Sequence, residues 1–171
     1  MAARLVSEGT QTLVVCGTTG ESPTLTHDEK LRLFEVVKQA VPGTPLVAGT
    51  GSNCTRATIE FSREARRRGV DGLLVVAPYY NKPPQEGLYE HFRAVAEAVD
   101  LPMIVYNIPG RTGVEISPAV LARLARLDNV VAVKQSLPGL EPVSILAARL
   151  QGVPVPVGGR PGPEPGGYEV F

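Results

Sequence analysis

Five short runs of apolar, largely β-branched residues recur along this chain at intervals of about thirty residues, and that spacing limits the fold more than any other feature. The runs are Thr12–Cys16, Pro45–Ala48, Gly72–Ala77, Pro102–Tyr106 and Val130–Lys134. They are apolar at consecutive positions rather than at alternate ones, which suits strands buried on both faces, as in a parallel sheet covered by helices. A strand-plus-helix unit of about thirty residues is the repeat of a (β/α)8 barrel, in which eight units occupy about 250 residues.

The segments between the runs carry helix start and stop signals. Thr26-His27-Asp28-Glu29 has the form of a capping box, in which the threonine hydroxyl accepts from the Glu29 amide while the Glu29 carboxylate reaches back. Leu31, Phe34, Val37 and Val41 then trace one helical face. Arg63 to Arg68 reads as a basic, solvated helix end closed by Gly69. Pro83-Pro84 sets the entry of a third helix, Gln85 to Val99, with Leu88, Phe92, Val95 and Val99 inward. Ser117-Pro118 is an N-cap with proline at the first helical position, opening a fourth helix through Val120, Leu121, Leu124 and Leu127. A shorter fifth is expected over Pro142 to Leu150. Strand and helix in strict alternation predict right-handed crossovers and an α/β fold.

The expected organisation is one partial (β/α) barrel domain over residues 1–150 and a Gly/Pro-rich irregular tail over 151–171, with at most a brief strand at Val153–Val157. Seventeen basic and seventeen acidic residues leave no net charge to attract nucleic acid or an anionic membrane, so small molecules are the expected partners. Cys16 and Cys54 fit neither a disulfide framework nor the paired spacing of a zinc site. No charged segment followed by an apolar one opens the chain, and no apolar run approaches the roughly 18 residues of a membrane span. The cytoplasm is the expected compartment.

Binding groups in such folds collect at the carboxyl ends of the strands. After the first run stands Gly17-Thr18-Thr19-Gly20-Glu21-Ser22, whose glycines permit a tight turn and whose hydroxyls and amides can converge on a carboxylate. The third run ends in Pro78-Tyr79-Tyr80-Asn81 and the fourth in Tyr106-Asn107-Ile108-Pro109-Gly110-Arg111-Thr112-Gly113. Tyrosines there either pack and hydrogen-bond locally or carry protons, and an arginine on the same rim offers a bidentate grip on a carboxylate. Lys134 terminates Val-Val-Ala-Val. Such a lysine either snorkels outward or stands among apolar neighbours, where desolvation makes an amine nucleophilic.

In this order and spacing, these three motifs and Val131-Ala132-Val133-Lys134 resemble the dihydrodipicolinate synthase (4-hydroxy-tetrahydrodipicolinate synthase) family of pyruvate-dependent class I aldolases, continuously from about Leu5 to Lys134. The resemblance implies a (β/α)8 barrel of TIM type in which Lys134 forms an imine with pyruvate. The enamine derived from it would add to the aldehyde of aspartate semialdehyde, with no metal or organic cofactor. It further implies Tyr106 as proton carrier, linked through Thr18 to Tyr80, and Tyr80 reaching a neighbouring subunit of a dimer or tetramer. Thr18 and Thr19 would hold the pyruvate carboxylate and Arg111 that of the semialdehyde. Neuraminate lyases and 2-keto-3-deoxy sugar-acid aldolases share the lysine and tyrosine but generally lack the arginine, so Arg111 favours the synthase.

The resemblance also has gaps. The family's first strand with its Thr-Pro turn is missing, Gln135-Ser136-Leu137-Pro138-Gly139-Leu140 follows the lysine where the family has an acidic residue and a Ser/Thr-Gly turn, and the last strands do not appear. The expected barrel is therefore incomplete, with five or six βα units. Two readings from other classes follow from this: a truncated, catalytically inactive remnant of the synthase, or a half-barrel that binds a keto acid without chemistry.

Overall fold

The computed structural model describes residues 1–139, Ser144 and Ile145, and the backbone of Glu169 and Val170. Five strands form on the five apolar runs: β1 (Leu13–Val15), β2 (Leu46–Gly49), β3 (Gly72–Val76), β4 (Met103–Asn107) and β5 (Val130–Gln135). A two-residue strand, β6 (Glu169–Val170), pairs with β5. All neighbours are parallel and the sheet order is β1-β2-β3-β4-β5-β6. Strand order that follows the chain without reversal is the order of a (β/α) barrel, whereas a doubly wound sheet reverses at a switch point.

Helices fill the intervals where their signals stand. In α2 (His27–Ala40) the Thr26 hydroxyl accepts the Glu29 N–H at 3.3 Å while the Glu29 carboxylate accepts the Thr26 N–H at 2.8 Å, the reciprocal capping box. α3 (Thr55–Arg67) ends in its basic turn, with Gly69 in the left-handed conformation at φ 77° and Arg66 and Arg68 paired with Asp100 and Glu35. α4 (Gln85–Ala98) buries Leu88, Phe92 and Val95. The one-turn α5 (Pro109–Thr112) was not foreshadowed by periodicity. In α6 (Pro118–Leu124) the Ser117 hydroxyl accepts from the Val120 N–H at 3.3 Å, with proline at the first position.

One further helix was not expected, and two expected elements fall wholly or largely outside the described residues. A short helix α1 (Ala2–Ser7) precedes β1, where no pattern announced one; it buries none of its residues, so it leaves no apolar stripe to read. Of the helix expected over Pro142 to Leu150, only Ser144 and Ile145 are among the described residues, and both are helical. Val153–Val157 lies outside the described residues; among the described residues of the 151–171 tail, Glu169–Val170 form β6.

The two faces of the sheet are unequally covered. On one, Leu46, Leu73, Val75, Met103, Val105 and Val133 pack against Phe34, Phe92 and Leu121 of the helices in a single large cluster. Burial of a side chain such as Phe92, fully enclosed, is worth about 2–3 kcal/mol. On the other face Val47, Leu74 and Tyr106 form a small cluster with Val76, Ile104 and Ile108. Val14, on the edge strand β1, is 50% exposed, and among the described residues β1 has no neighbour but β2. No helix among the described residues is long and apolar enough to cross a membrane.

Candidate active site

Parallel strands in chain order bring their carboxyl ends to one edge, where the loops after β1, β2, β3 and β4 surround a cavity of about 720 Å³. Thr18, Thr50, Tyr79, Tyr106 and Arg111 contribute to its wall, one or more from each loop. Farther out the wall is made by His27 and Lys30 of α2 and by Phe61 and Glu64 of α3. His27 sits 3.0 Å from the Glu64 carboxylate and against the Phe61 ring, which ties the two helices together at this rim.

The inner wall depends on two glycines in β2 and its loop. A Cβ at Gly49 would stand 2.2 Å from the Cys16 carbonyl oxygen, and one at Gly51 2.4 Å from the Val76 nitrogen. Both obstacles are backbone, so any side chain here would force strands apart. Between them Thr50 is buried, its hydroxyl accepting from Ser62 at 2.8 Å, and the Ser52 N–H donates to the Thr58 hydroxyl at 3.0 Å. These contacts fasten the β2 loop to α3.

Among the described residues, four non-glycine residues have positive φ: Cys16 (59°), Glu21 (54°), Tyr80 (73°) and Lys82 (43°). All follow β1 or β3. Left-handed backbone is costly for L-residues and gathers where a site over-determines the chain path. Cys16 lines the cavity at the first of these turns, and burial raises its thiol pKa, with Lys30 opposing more weakly. The thiol therefore stays protonated at neutral pH and does not compete as a nucleophile.

Lys134 and Tyr106 are register partners on β5 and β4, so their side chains leave the sheet on the same face. Lys134 is half-buried, and its Nζ stands over the Tyr106 ring, 4.1 Å from the centroid. The amine thus stands over an aromatic face, and Lys134 itself is not among the residues of the cavity wall. Tyr106, only 5% exposed, both carries that contact and lines the cavity, and so joins the amine to the space where a substrate would sit.

The remaining candidates divide. Thr18 and Arg111 share the cavity wall with Tyr106. Thr19, exposed in the 3-10 turn Thr18–Gly20, is not part of that wall. Tyr80, in the left-handed backbone region, is 89% exposed and off the cavity wall, while its neighbour Tyr79 lines the cavity. Among the described residues no hydrogen bond joins Tyr106, Thr18 and Tyr80, so the implied proton path is not formed within one chain.

Sequence reasoning passed over Gly49-Thr50-Gly51-Ser52. The signal was present, a glycine-rich turn at a strand's carboxyl end like that of Gly17–Ser22. Among the described residues, no group of three or more His, Cys, Asp or Glu side chains is arranged to hold a metal ion.

Residues 1–150 match the Dihydrodipicolinate synthetase family. The chain is 64% identical over 137 residues to a 4-hydroxy-tetrahydrodipicolinate synthase of Symbiobacterium thermophilum, covering 79% of this chain and 47% of that relative. Among solved structures it resembles dihydrodipicolinate synthase from Aquifex aeolicus, with a TM-score of 0.83 at 46% identity, covering 86% of this chain and 52% of that one. The enzyme from Acinetobacter baumannii, solved as a chloride-inhibited complex with pyruvate, aligns with a TM-score of 0.85 at 42% identity over 88% of this chain and 53% of its own. The chain spans about half the length of the curated relatives it matches.

Proposed function

Because the chain belongs to the dihydrodipicolinate synthetase family, we propose that it acts as a Schiff-base-forming lyase that condenses pyruvate with L-aspartate 4-semialdehyde to give 4-hydroxy-tetrahydrodipicolinate. The observation that carries this reading is the placement of Lys134 Nζ over the ring of Tyr106, itself a wall residue of the cavity shared with Thr18 and Arg111. An unprotonated Lys134 amine attacks the ketone carbon of pyruvate, and loss of water leaves an imine. The imine nitrogen withdraws electrons from the adjacent methyl group, which gives up a proton and becomes the enamine carbon nucleophile. That carbon bonds to the aldehyde carbon of the semialdehyde. The substrate's own amine then closes the ring on the imine carbon and frees Lys134.

Tyr106, whose ring lies under the reacting nitrogen, serves as proton carrier. Thr18 takes the pyruvate carboxylate, while Thr19, off the cavity wall, is left without that role, and Arg111 takes the semialdehyde carboxylate through a two-pronged hydrogen bond. Arg111 in the cavity wall favours this substrate over a polyol aldehyde, which offers no carboxylate at that place. The outward Tyr80 supports a homo-oligomer in which it completes the proton path of a neighbouring copy. The unpaired cysteines Cys16 and Cys54 support a cytoplasmic setting.

The test is covalent trapping. Incubation with pyruvate followed by borohydride reduction should add one reduced pyruvate to Lys134, and Lys134→Arg should abolish the adduct. Well-folded chain that yields no adduct would overturn the imine assignment.

A further inference from the structure

Arg111 stands on a loop that leaves β4 and returns at α6, and the returning end is held by two side-chain amides. Asn107, fully buried at the end of β4, accepts the Ile116 N–H on Oδ1 at 3.0 Å and donates from Nδ2 to the Ile116 carbonyl at 3.3 Å. Gln85, the first residue of α4, donates from Nε2 to the Glu115 carbonyl at 2.7 Å and accepts the Ser117 N–H on Oε1 at 2.9 Å. Three consecutive residues are thus gripped, the middle one from inside and its neighbours from outside. Within the loop the Thr112 hydroxyl lies 2.8 Å from the Val114 carbonyl and 3.1 Å from that of Ile108, and the chain turns at Gly113 with φ 73°.

Asn107 has an evident structural duty, because without it the buried Ile116 backbone groups would lose their partners. Gln85 has no such duty. It is exposed, and both its bonds go to the loop that carries Arg111. We infer that Gln85 is a positioning residue for Arg111: with Asn107 it clamps residues 115–117 and so sets where the guanidinium stands on the cavity wall. This rests on the reading of Arg111 as the grip on the semialdehyde carboxylate. A two-pronged guanidinium–carboxylate contact tolerates little displacement, and a loop that must be ordered at each binding event weakens it further. The clamp comes from α4, so the position of the second-substrate site is coupled to the helix that follows β3.

The clamp predicts a selective defect. In a single-turnover experiment the pyruvate adduct is formed on the full chain, then discharged with increasing aspartate semialdehyde, and the residual adduct is trapped with borohydride. In Gln85→Ala the half-saturating semialdehyde concentration should rise about tenfold while that of pyruvate stays unchanged. Gln85→Glu keeps the acceptor for Ser117 but loses the donor to Glu115, and should behave like the alanine variant. A residue that merely supported the start of α6 would be rescued by glutamate.

Unchanged half-saturation in Gln85→Ala, rescue by glutamate, or a parallel rise for both substrates would each overturn the inference. If the unaltered chain forms no adduct, it is the Lys134 reading that fails. The clamp is then decided by amide hydrogen exchange over residues 108–117: faster exchange in Gln85→Ala upholds it, and equal exchange refutes it.

Discussion

Replacing His91 with asparagine should remove an acid-sensitive weakness from the fold without touching the cavity. His91 lies on α4, 4% exposed, with Nδ1 2.9 Å from the Thr55 hydroxyl at the start of α3 and its ring edge-on to Phe92. Among the described residues its buried Nε2 has no hydrogen-bond partner. Protonation would place a charge and an unanswered N–H there, and burial accordingly lowers the pKa from 6.5 to about 4. The unfolded chain takes up this proton below pH 6.5 while the folded chain resists until about pH 4, so stability falls as the pH drops through that window. Linkage gives a loss on the order of 1 kcal/mol at about pH 5.5, growing to roughly 3 kcal/mol below the folded pKa.

The carboxylates Glu29, Glu35 and Glu86 are also shifted, downward from 4.5, by hydrogen bonds from Thr26, Arg32 and Arg123 respectively. Their stabilisation is full well above that value and begins to be lost about one pH unit above it, so the interval above about pH 5.5 isolates the histidine. Asparagine does not titrate, and its amide can keep a bond to Thr55. Urea unfolding followed by circular dichroism at about pH 7, 6.25 and 5.5 should show the loss in the unaltered chain and a nearly flat profile in His91→Asn. Parallel decline in both proteins would refute the reasoning.

Two further substitutions probe the cavity directly. Gly49→Ala sets a methyl group against the Cys16 carbonyl and should destabilise the fold by about 1–3 kcal/mol in the same unfolding assay; an unchanged midpoint would mean that the β1–β2 approach is slack. Tyr106→Phe keeps the ring beneath Lys134 but removes the hydroxyl, so thermal stability should hold while the rate of pyruvate adduct formation falls about 10²-fold. Equal rates would remove the tyrosine from the proton path.

The sequence alone determined strands β1 to β5, their parallel alternation with helices, and the helix boundaries at Thr26, Gly69 and Ser117. Each depends on local physical chemistry: apolar runs seek burial on either side, a threonine answers its own helix's free amides, and glycine alone enters the left-handed turn without cost. The motif residues were legible as a set for the same reason, since each sits at a strand's carboxyl end. Which of them meet was not legible, because that depends on register and on the direction of each loop. Pairing of Lys134 with Tyr106 across β5 and β4 put the amine over the ring, whereas Tyr80, in the left-handed backbone region, is exposed and Thr19, in a 3-10 turn, is off the cavity wall. A strand-end lysine can point anywhere along its own strand, and only the tertiary pairing of two strands distant in sequence set its amine over the Tyr106 ring.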